Sequence, residues 1–106
     1  MPSTAPQYTV GRLEFFPLEN RLLKGDEEII LTQKETSLLH FFCEHANKVL
    51  RREDILNYVW GKNDYFLGRS MDVYVAKLRK LLKAEDGVYI ETIPQTGYRM
   101  ILHQNT

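Results

Sequence analysis

Apolar and polar residues alternate along the first third of the chain, and this pattern predicts short β-strands rather than helices. Gly11, Pro17 and Gly25 stand between the apolar segments and supply the breaks. The predicted strands cover residues 8–10, 13–16, 21–23 and 28–30. Four short strands this close together indicate a small antiparallel sheet, which must pack against another element to be stable.

After the strands, the apolar residues recur with the period of a helix. Thr32 and Glu35 have the spacing of a capping box, in which the threonine hydroxyl accepts from the Glu35 amide while the Glu35 carboxylate accepts from the threonine amide. This motif predicts a first helix at about 33–45. A second, shorter apolar pattern predicts another helix at about 52–59.

A third helix is predicted at about 70–83, because six apolar residues there recur at the spacing of one buried stripe. These residues are Met71, Tyr74, Val75, Leu78, Leu81 and Leu82. The preceding residues 62–68 are predicted to form a loop. Asp72 falls in the first turn of the predicted helix, where the helix dipole stabilises a carboxylate. Accepting from a cytosine amino group, or orienting a neighbouring cation, remain open alternatives for this residue.

Two further strands are predicted at about 88–93 and 98–102, and the turn residues 94–97 between them indicate a β-hairpin. The order of elements is therefore an N-terminal four-stranded antiparallel sheet, three helices and a C-terminal hairpin. This is the α+β plan of a winged helix-turn-helix, with the hairpin as the wing. We expect one domain over 8–104, preceded by a disordered tail or linker at 1–7.

Composition is that of one soluble domain: 106 residues, of which 43% are hydrophobic and 26% charged. No apolar run approaches the roughly 20 residues that span a bilayer, and the N-terminus has no signal-peptide pattern. The single cysteine, Cys43, cannot close an intrachain disulfide, so a bacterial cytoplasm is the expected compartment.

The net charge is zero, but the basic residues are concentrated in one segment. Residues 69–83 carry five Lys or Arg against Asp72 as the one acid, so any footprint on phosphate lies there. The opposite face of the third helix collects Ser70, Val73, Ala76, Lys77 and Lys80. Small residues let a helix approach base edges, methyl groups pack on thymine, and a lysine can donate to guanine.

His40, Cys43 and His45 are the one group of potential metal ligands that stands out. Their spacing lacks the second cysteine or carboxylate pair of a metal site, so a core cysteine and surface histidines are the better interpretation. No nucleotide-binding or hydrolase motif occurs. We therefore expect no catalytic residue, metal or cofactor, and no enzyme.

Four stretches of the chain, in order and at consistent spacing, resemble one known family. They are LTQKE at 31–35 with Leu38-Leu39, VLRREDIL at 49–56 with Val59-Trp60-Gly61, RSMDVYVAKLRKL at 69–81, and IETI at 90–93 with Gly97-Tyr98-Arg99. Together they make residues 8–102 similar to the OmpR/PhoB-type effector domain of two-component response regulators. The resemblance implies sequence-specific binding of double-stranded DNA, with the third helix in the major groove and the wing at the adjacent minor groove or backbone.

By position in that family, two sets of residues are expected to contact DNA. The base-edge set is Ser70, Asp72, Val73, Ala76 and Lys77. The sugar-phosphate set is Trp60, Arg69, Tyr74, Arg79, Lys80, Thr92, Thr96 and Tyr98.

The resemblance also implies partners. The family binds tandem half-sites as dimers and is controlled by a phosphorylatable receiver domain, which this chain lacks. The segment with Asn63, Tyr65 and Phe66 corresponds to one that in some relatives touches RNA polymerase. The alternative, that the two aromatic residues fold back onto the core, is left open.

Two departures from the family pattern remove cations from the expected interface. Pro94-Gln95 stands where many relatives have a bulky basic or aromatic residue followed by glycine, and Ala76 stands where arginine is common. We expect the isolated domain to bind DNA weakly and to depend on dimerisation. A winged-helix module that binds another protein is the competing function, but its docking face would carry aromatics rather than the central Lys77 and Lys80.

Overall fold

The computed structural model describes residues 7–62, 65–83, 85 and 87–103, with the side chains of 65 and 66 excepted. Of the tail predicted at 1–7, all but Gln7 lies outside these residues. The N-terminal strands are β1 (Tyr8–Val10), β2 (Leu13–Phe16), β3 (Arg21–Lys24) and β4 (Glu27–Ile30). They form one antiparallel sheet in sequence order, so the predicted four-stranded sheet is confirmed.

Helix α1 (Gln33–Glu44) begins at the predicted capping box. The amide of Glu35 donates to Thr32 Oγ1 at 3.1 Å, and the amide of Thr32 donates to Glu35 Oε1 at 2.8 Å. Both bonds satisfy amides that the helix itself leaves without acceptors, which is why the helix starts here.

Helix α2 (Arg52–Trp60) follows a two-residue strand, β5 (Leu50–Arg51), that the sequence pattern did not predict. No side chain caps its N-terminus, since Arg51 occupies the cap position. Instead, the Arg52 amide donates to the carbonyl of Thr96 in the hairpin turn at 2.9 Å. The start of α2 is therefore attached to the C-terminal hairpin.

Helix α3 spans Tyr65–Leu82, so two predictions for this region are wrong. The helix begins five residues before the predicted start at 70, and the loop predicted at 62–68 is helical from Tyr65 onward. Because Asp72 is therefore well inside the helix, the prediction that it stabilises the first turn through the helix dipole is also wrong.

The C-terminal strands β6 (Val88–Ile93) and β7 (Gly97–Leu102) form the predicted hairpin. Strand β5 adds to it, giving a three-stranded sheet in the order β5-β7-β6, here called the wing sheet. Gly97 pairs with Arg51 at the close approach of β5 and β7. A Cβ atom on Gly97 would lie 1.9 Å from the carbonyl oxygen of Leu50, so only glycine fits.

The core lies between the N-terminal sheet, the three helices and the wing sheet. Its largest fully buried side chains include Phe15, Phe42, Leu38, Leu39, Ile55, Met71, Leu78 and Met100. Glu85, although charged, is buried as well, and its carboxylate accepts from the Arg12 amide at 2.6 Å. This bond links the β1–β2 turn to the segment that follows α3. Within the described part of the chain, no helix is long and apolar enough to span a membrane.

Replacing Gly97 with alanine is expected to lower the free energy of unfolding by at least about 2 kcal/mol, because the added methyl group collides with backbone rather than with a movable side chain. Gly25→Ala is the matched control: Gly25 has φ +61°, but a Cβ there meets nothing within 4 Å. Gly25→Ala should lower the free energy of unfolding by about 1 kcal/mol, through the strain of a left-handed alanine alone. Urea unfolding measures both, and equal losses would contradict the backbone clash.

Candidate nucleic-acid interface

Helix α3 presents one continuous exposed face, here called the outer face. It consists of Arg69, Asp72, Val73, Ala76, Lys77 and Lys80, which recur at spacings of three and four residues. Val73 is 55% exposed, so its methyl groups are accessible on this face. Ser70, predicted to share this face, is half-buried. The face therefore combines small or apolar side chains with cations at both ends and in the middle.

Asp72 holds three elements together. Arg52 of α2 donates to it through Nη1 at 3.0 Å and Nη2 at 3.4 Å, and the hydroxyl of Tyr98 in β7 donates to Asp72 Oδ1 at 2.5 Å. Arg52 Nη2 also donates to the carbonyl of Gly68, at 3.3 Å. The three side chains Arg52, Asp72 and Tyr98, here called the Asp72 cluster, fix the helix-turn-helix and the wing sheet to each other.

The Asp72 cluster shifts the ionisation of its own members. Partial burial acts to raise the pKa of Asp72, but the hydrogen bonds from Arg52 and Tyr98 outweigh it and the pKa is lowered. Burial, followed by the bond to Asp72, raises the pKa of Tyr98. The hydrogen bond to Asp72 raises the pKa of Arg52. Asp72 is therefore a carboxylate and Tyr98 a neutral phenol at neutral pH.

Arg79 connects α3 with the wing sheet at a second point. Its Nε donates to the carbonyl of Ile90 at 3.0 Å, and its Nη2 donates to Thr92 Oγ1 at 2.8 Å. The guanidinium also lies 5.7 Å from the ring centroid of Tyr98. Two of the donor atoms of Arg79 are thus used inside the domain.

A row of two aromatic rings flanked by two cations crosses from α3 to α1. Lys77 Nζ lies 4.8 Å from the ring of Tyr74, whose ring is 5.8 Å from that of Trp60 in an edge-on arrangement. Lys34 Nζ lies 5.8 Å from the Trp60 ring and donates to the carbonyl of Val59 at 3.1 Å. We call Lys77, Tyr74, Trp60 and Lys34 the cation–aromatic row.

The tip of the wing is the turn Pro94–Thr96 between β6 and β7. Gln95 takes a left-handed conformation, φ +63°, which is uncommon outside glycine and asparagine. Pro94 and Gln95 are exposed, as is Thr92 just before them, while Thr96 is half-buried. The tip offers polar groups but no cation, as its sequence predicts.

Most of the predicted DNA-contacting residues are exposed or half-buried, on α3, at the end of α2 and on the wing sheet. Tyr98 is the exception, because its side chain is 6% exposed and its hydroxyl is bonded to Asp72. Of the predicted polymerase-contacting residues, Tyr65 and Phe66 lie in the first turn of α3, and Asn63 lies outside the described residues.

Sequence reasoning missed Arg52 and Lys34. Arg52 is separated from Asp72 by 20 residues, and no local sequence pattern predicts that the two residues pair. Lys34 lies between Thr32 and Glu35, and the capping-box pattern depends on those two residues and not on Lys34. Knowing which side of α2 meets α3 would have indicated Arg52, and knowing that α1 packs against the end of α2 would have indicated Lys34.

The interpretation of Cys43 as a core residue is confirmed. Its side chain is buried, and burial raises the pKa of the thiol to about 12. His40 and His45 pack edge-on or tilted against aromatic rings, His40 on Tyr8 and His45 on Phe41. In the part of the chain that the structure describes, no three His, Cys, Asp or Glu side chains are placed to hold a metal ion together.

Comparison with known proteins places the chain in a recognised group. A family model described as "Transcriptional regulatory protein, C terminal" matches residues 26–100. The chain is 43% identical over 94 residues to the transcriptional regulatory protein RprY of Bacteroides fragilis, covering 89% of the chain and 40% of that protein. It is 40% identical over 90 residues to the phosphate regulon regulatory protein PhoB of Escherichia coli, covering 82% and 38%. The chain thus spans about two fifths of these relatives.

Solved structures agree with the sequence match. The DNA-binding domain of Klebsiella pneumoniae RstA, in complex with the RstA box, superposes with a TM-score of 0.75 at 25% identity. The superposition covers 92% of this chain and 98% of that one.

The lowered pKa of Asp72 predicts a pH dependence of stability. A carboxyl group whose pKa is lower in the folded state than its ordinary value of 3.8 stabilises the fold above that value. This contribution disappears as the pH falls through the folded-state pKa. Urea unfolding between neutral pH and about pH 2.5 should therefore show a larger loss of stability for the wild type than for Asp72→Asn. The exposed Glu14→Gln serves as control, and parallel curves for the wild type and Asp72→Asn would contradict the prediction.

Proposed function

The chain belongs to the OmpR/PhoB-type family of C-terminal transcriptional regulatory domains, and from this premise we propose that it binds double-stranded DNA sequence-specifically to control transcription. The observation that carries the proposal is the outer face of α3. It is exposed, carries small side chains and cations, and is held by the Asp72 cluster at a fixed angle to the wing. RstA, a structural neighbour, is bound to its own DNA box in the solved complex.

In this proposal α3 lies in the major groove with its outer face toward the base edges. Lys77 donates to guanine O6 or N7, and the methyl groups of Val73 and Ala76 pack on thymine methyl groups. Ser70 lies at the edge of this contact, where its hydroxyl can bond to either a base or the backbone. Asp72 orients Arg52 and Tyr98, so it is a positioning residue at the base edges.

The sugar-phosphate contacts surround this face. They are made by Trp60, Arg69, Tyr74, Lys80, Thr92 and Thr96. Arg79 and Tyr98, predicted as part of the same set, instead support the proposal by fixing the wing to α3. Phosphate contacts set the position and register of the domain on DNA, whereas the base contacts select the sequence.

The whole protein of which this domain forms part is proposed to be a response regulator. More than half of each relative's length lies outside the part that this chain matches. This length supports a receiver domain attached to the N-terminal sheet. We propose binding to tandem half-sites as a dimer, and no catalytic activity. We further propose a contact with RNA polymerase through the region around Asn63, Tyr65 and Phe66.

Fluorescence anisotropy with duplex DNA tests the proposal. A duplex enriched by in vitro selection from a random pool is expected to bind more tightly than a scrambled duplex of equal length, and binding should weaken as salt rises. No binding at low salt by the folded domain would favour the competing function, a winged-helix module that binds protein.

Lys77→Ala is expected to weaken the free energy of binding to the selected duplex by about 1–3 kcal/mol. The loss on the scrambled duplex should be much smaller, because a base contact contributes to discrimination between sequences. Lys24→Ala is the matched control, since Lys24 is an exposed lysine of β3 far along the chain from α3. An equal loss on both duplexes would show that Lys77 contacts phosphate instead of a base.

A further inference from the structure

We propose that Lys34, in the first turn of α1, binds a DNA phosphate at the rim of the major groove. The inference rests on the proposed function and extends the interface to α1, a helix in which neither the family resemblance nor the sequence pattern predicted a DNA contact. It follows from the cation–aromatic row, which ends at Lys34.

The row connects Lys34 with Lys77 and limits the distance between their ammonium groups. The separations of 4.8, 5.8 and 5.8 Å along Lys77, Tyr74, Trp60 and Lys34 keep the two ammonium groups within about 16 Å of each other. The major groove is about 12 Å wide and 8.5 Å deep, so its floor and its phosphate rim are about 10 Å apart. With Lys77 at the floor, this upper limit allows a cation at the other end of the row to lie at the rim.

Trp60 strengthens this placement. It is half-buried between Tyr74 and Lys34, so one side of its indole is covered by α3 and a lysine ammonium lies near the ring from α1. A backbone contact at Trp60 therefore brings the same phosphate, or its neighbour, close to Lys34.

Lys34 retains donors for such a contact. An ammonium group has three hydrogens, and among the described residues Lys34 donates to the Val59 carbonyl alone. That bond also holds the side chain in one conformation, which lowers the entropy lost when a phosphate is bound. The position is otherwise unfavourable, because a cation in the first turn of a helix opposes the helix dipole.

A purely structural role is the alternative. Lysine often bonds to the last carbonyl groups of a helix, and Lys34 does so at the end of α2. The two roles differ in one measurable quantity: a structural cap affects stability, whereas a phosphate contact also affects the dependence of DNA affinity on salt.

The experiment compares Lys34→Gln, Lys34→Arg and the control Lys24→Gln by anisotropy on the selected and scrambled duplexes over a range of salt. Glutamine keeps a polar donor but carries no charge, and arginine keeps the charge. We expect Lys34→Gln to weaken binding about three- to tenfold on both duplexes and to reduce the slope of log affinity against log salt by about one. Lys34→Arg and Lys24→Gln should keep the wild-type slope.

Three results would overturn the inference. If the wild type binds DNA and Lys34→Gln keeps the wild-type slope, Lys34 is a structural cap, even where urea unfolding shows a loss of stability. If Lys24→Gln lowers the slope equally, the effect is one of net charge and not of position. If the wild type binds no duplex, the proposed function fails and the phosphate contact fails with it.

Discussion

The carboxylate of Asp72 is the point on which the arrangement of the exposed surface depends. It accepts hydrogen bonds from α2 and from β7 while belonging to α3 itself. Packing in the core brings these elements together, but apolar contacts are not directional and tolerate small rotations. The bidentate bond from Arg52 and the short bond from Tyr98 are directional, so they define the angle between helix and wing. A second directional contact, from Arg79 to β6, acts on the same angle.

This arrangement explains how a chain without net charge can carry a surface suited to a polyanion. What matters for phosphate binding is the local density of cations, and α3 with its flanks supplies it. The acidic residue in the middle of that surface does not cancel the effect, because Arg52 already neutralises it. The cation–aromatic row adds charge from a different helix. The cations of this surface thus come from α3 and α1, which a count along the sequence underestimates.

Local signals in the sequence predicted the fold well. The capping box at Thr32 and Glu35, the buried stripe of α3 and the hairpin turn each depend on residues a few positions apart, so the pattern alone defines them. The start of α3 was predicted five residues late, because Gly68 lies between an aromatic pair and the stripe and suggests a loop. In the fold Gly68 is buried and its carbonyl is bonded by Arg52, which stabilises the helix across it.

The contacts that organise the candidate site were not predictable in the same way. Tyr98 and Asp72 are 26 residues apart, and Lys34 and Val59 are 25 apart, so only the packing of the elements brings them together. Tyr98 was predicted to contact the sugar-phosphate backbone, but its burial and its bond to Asp72 give it a supporting position in the free domain. The need for glycine at position 97 likewise follows only from the close packing of β5 against β7.

The bond from Arg79 to the carbonyl of Ile90 has a consequence for self-association. Strand β6 lies at the open edge of the wing sheet, and an open edge is a template on which a second chain can add a strand. Arg79 occupies a backbone acceptor of this strand with a charged group. Another molecule would have to displace that arginine, and pack beside its charge, before it could extend the sheet. Arg79, which attaches the wing sheet to α3, thus also opposes the pairing of β6 with a strand of another molecule. It thereby protects the domain from aggregation at high local concentration.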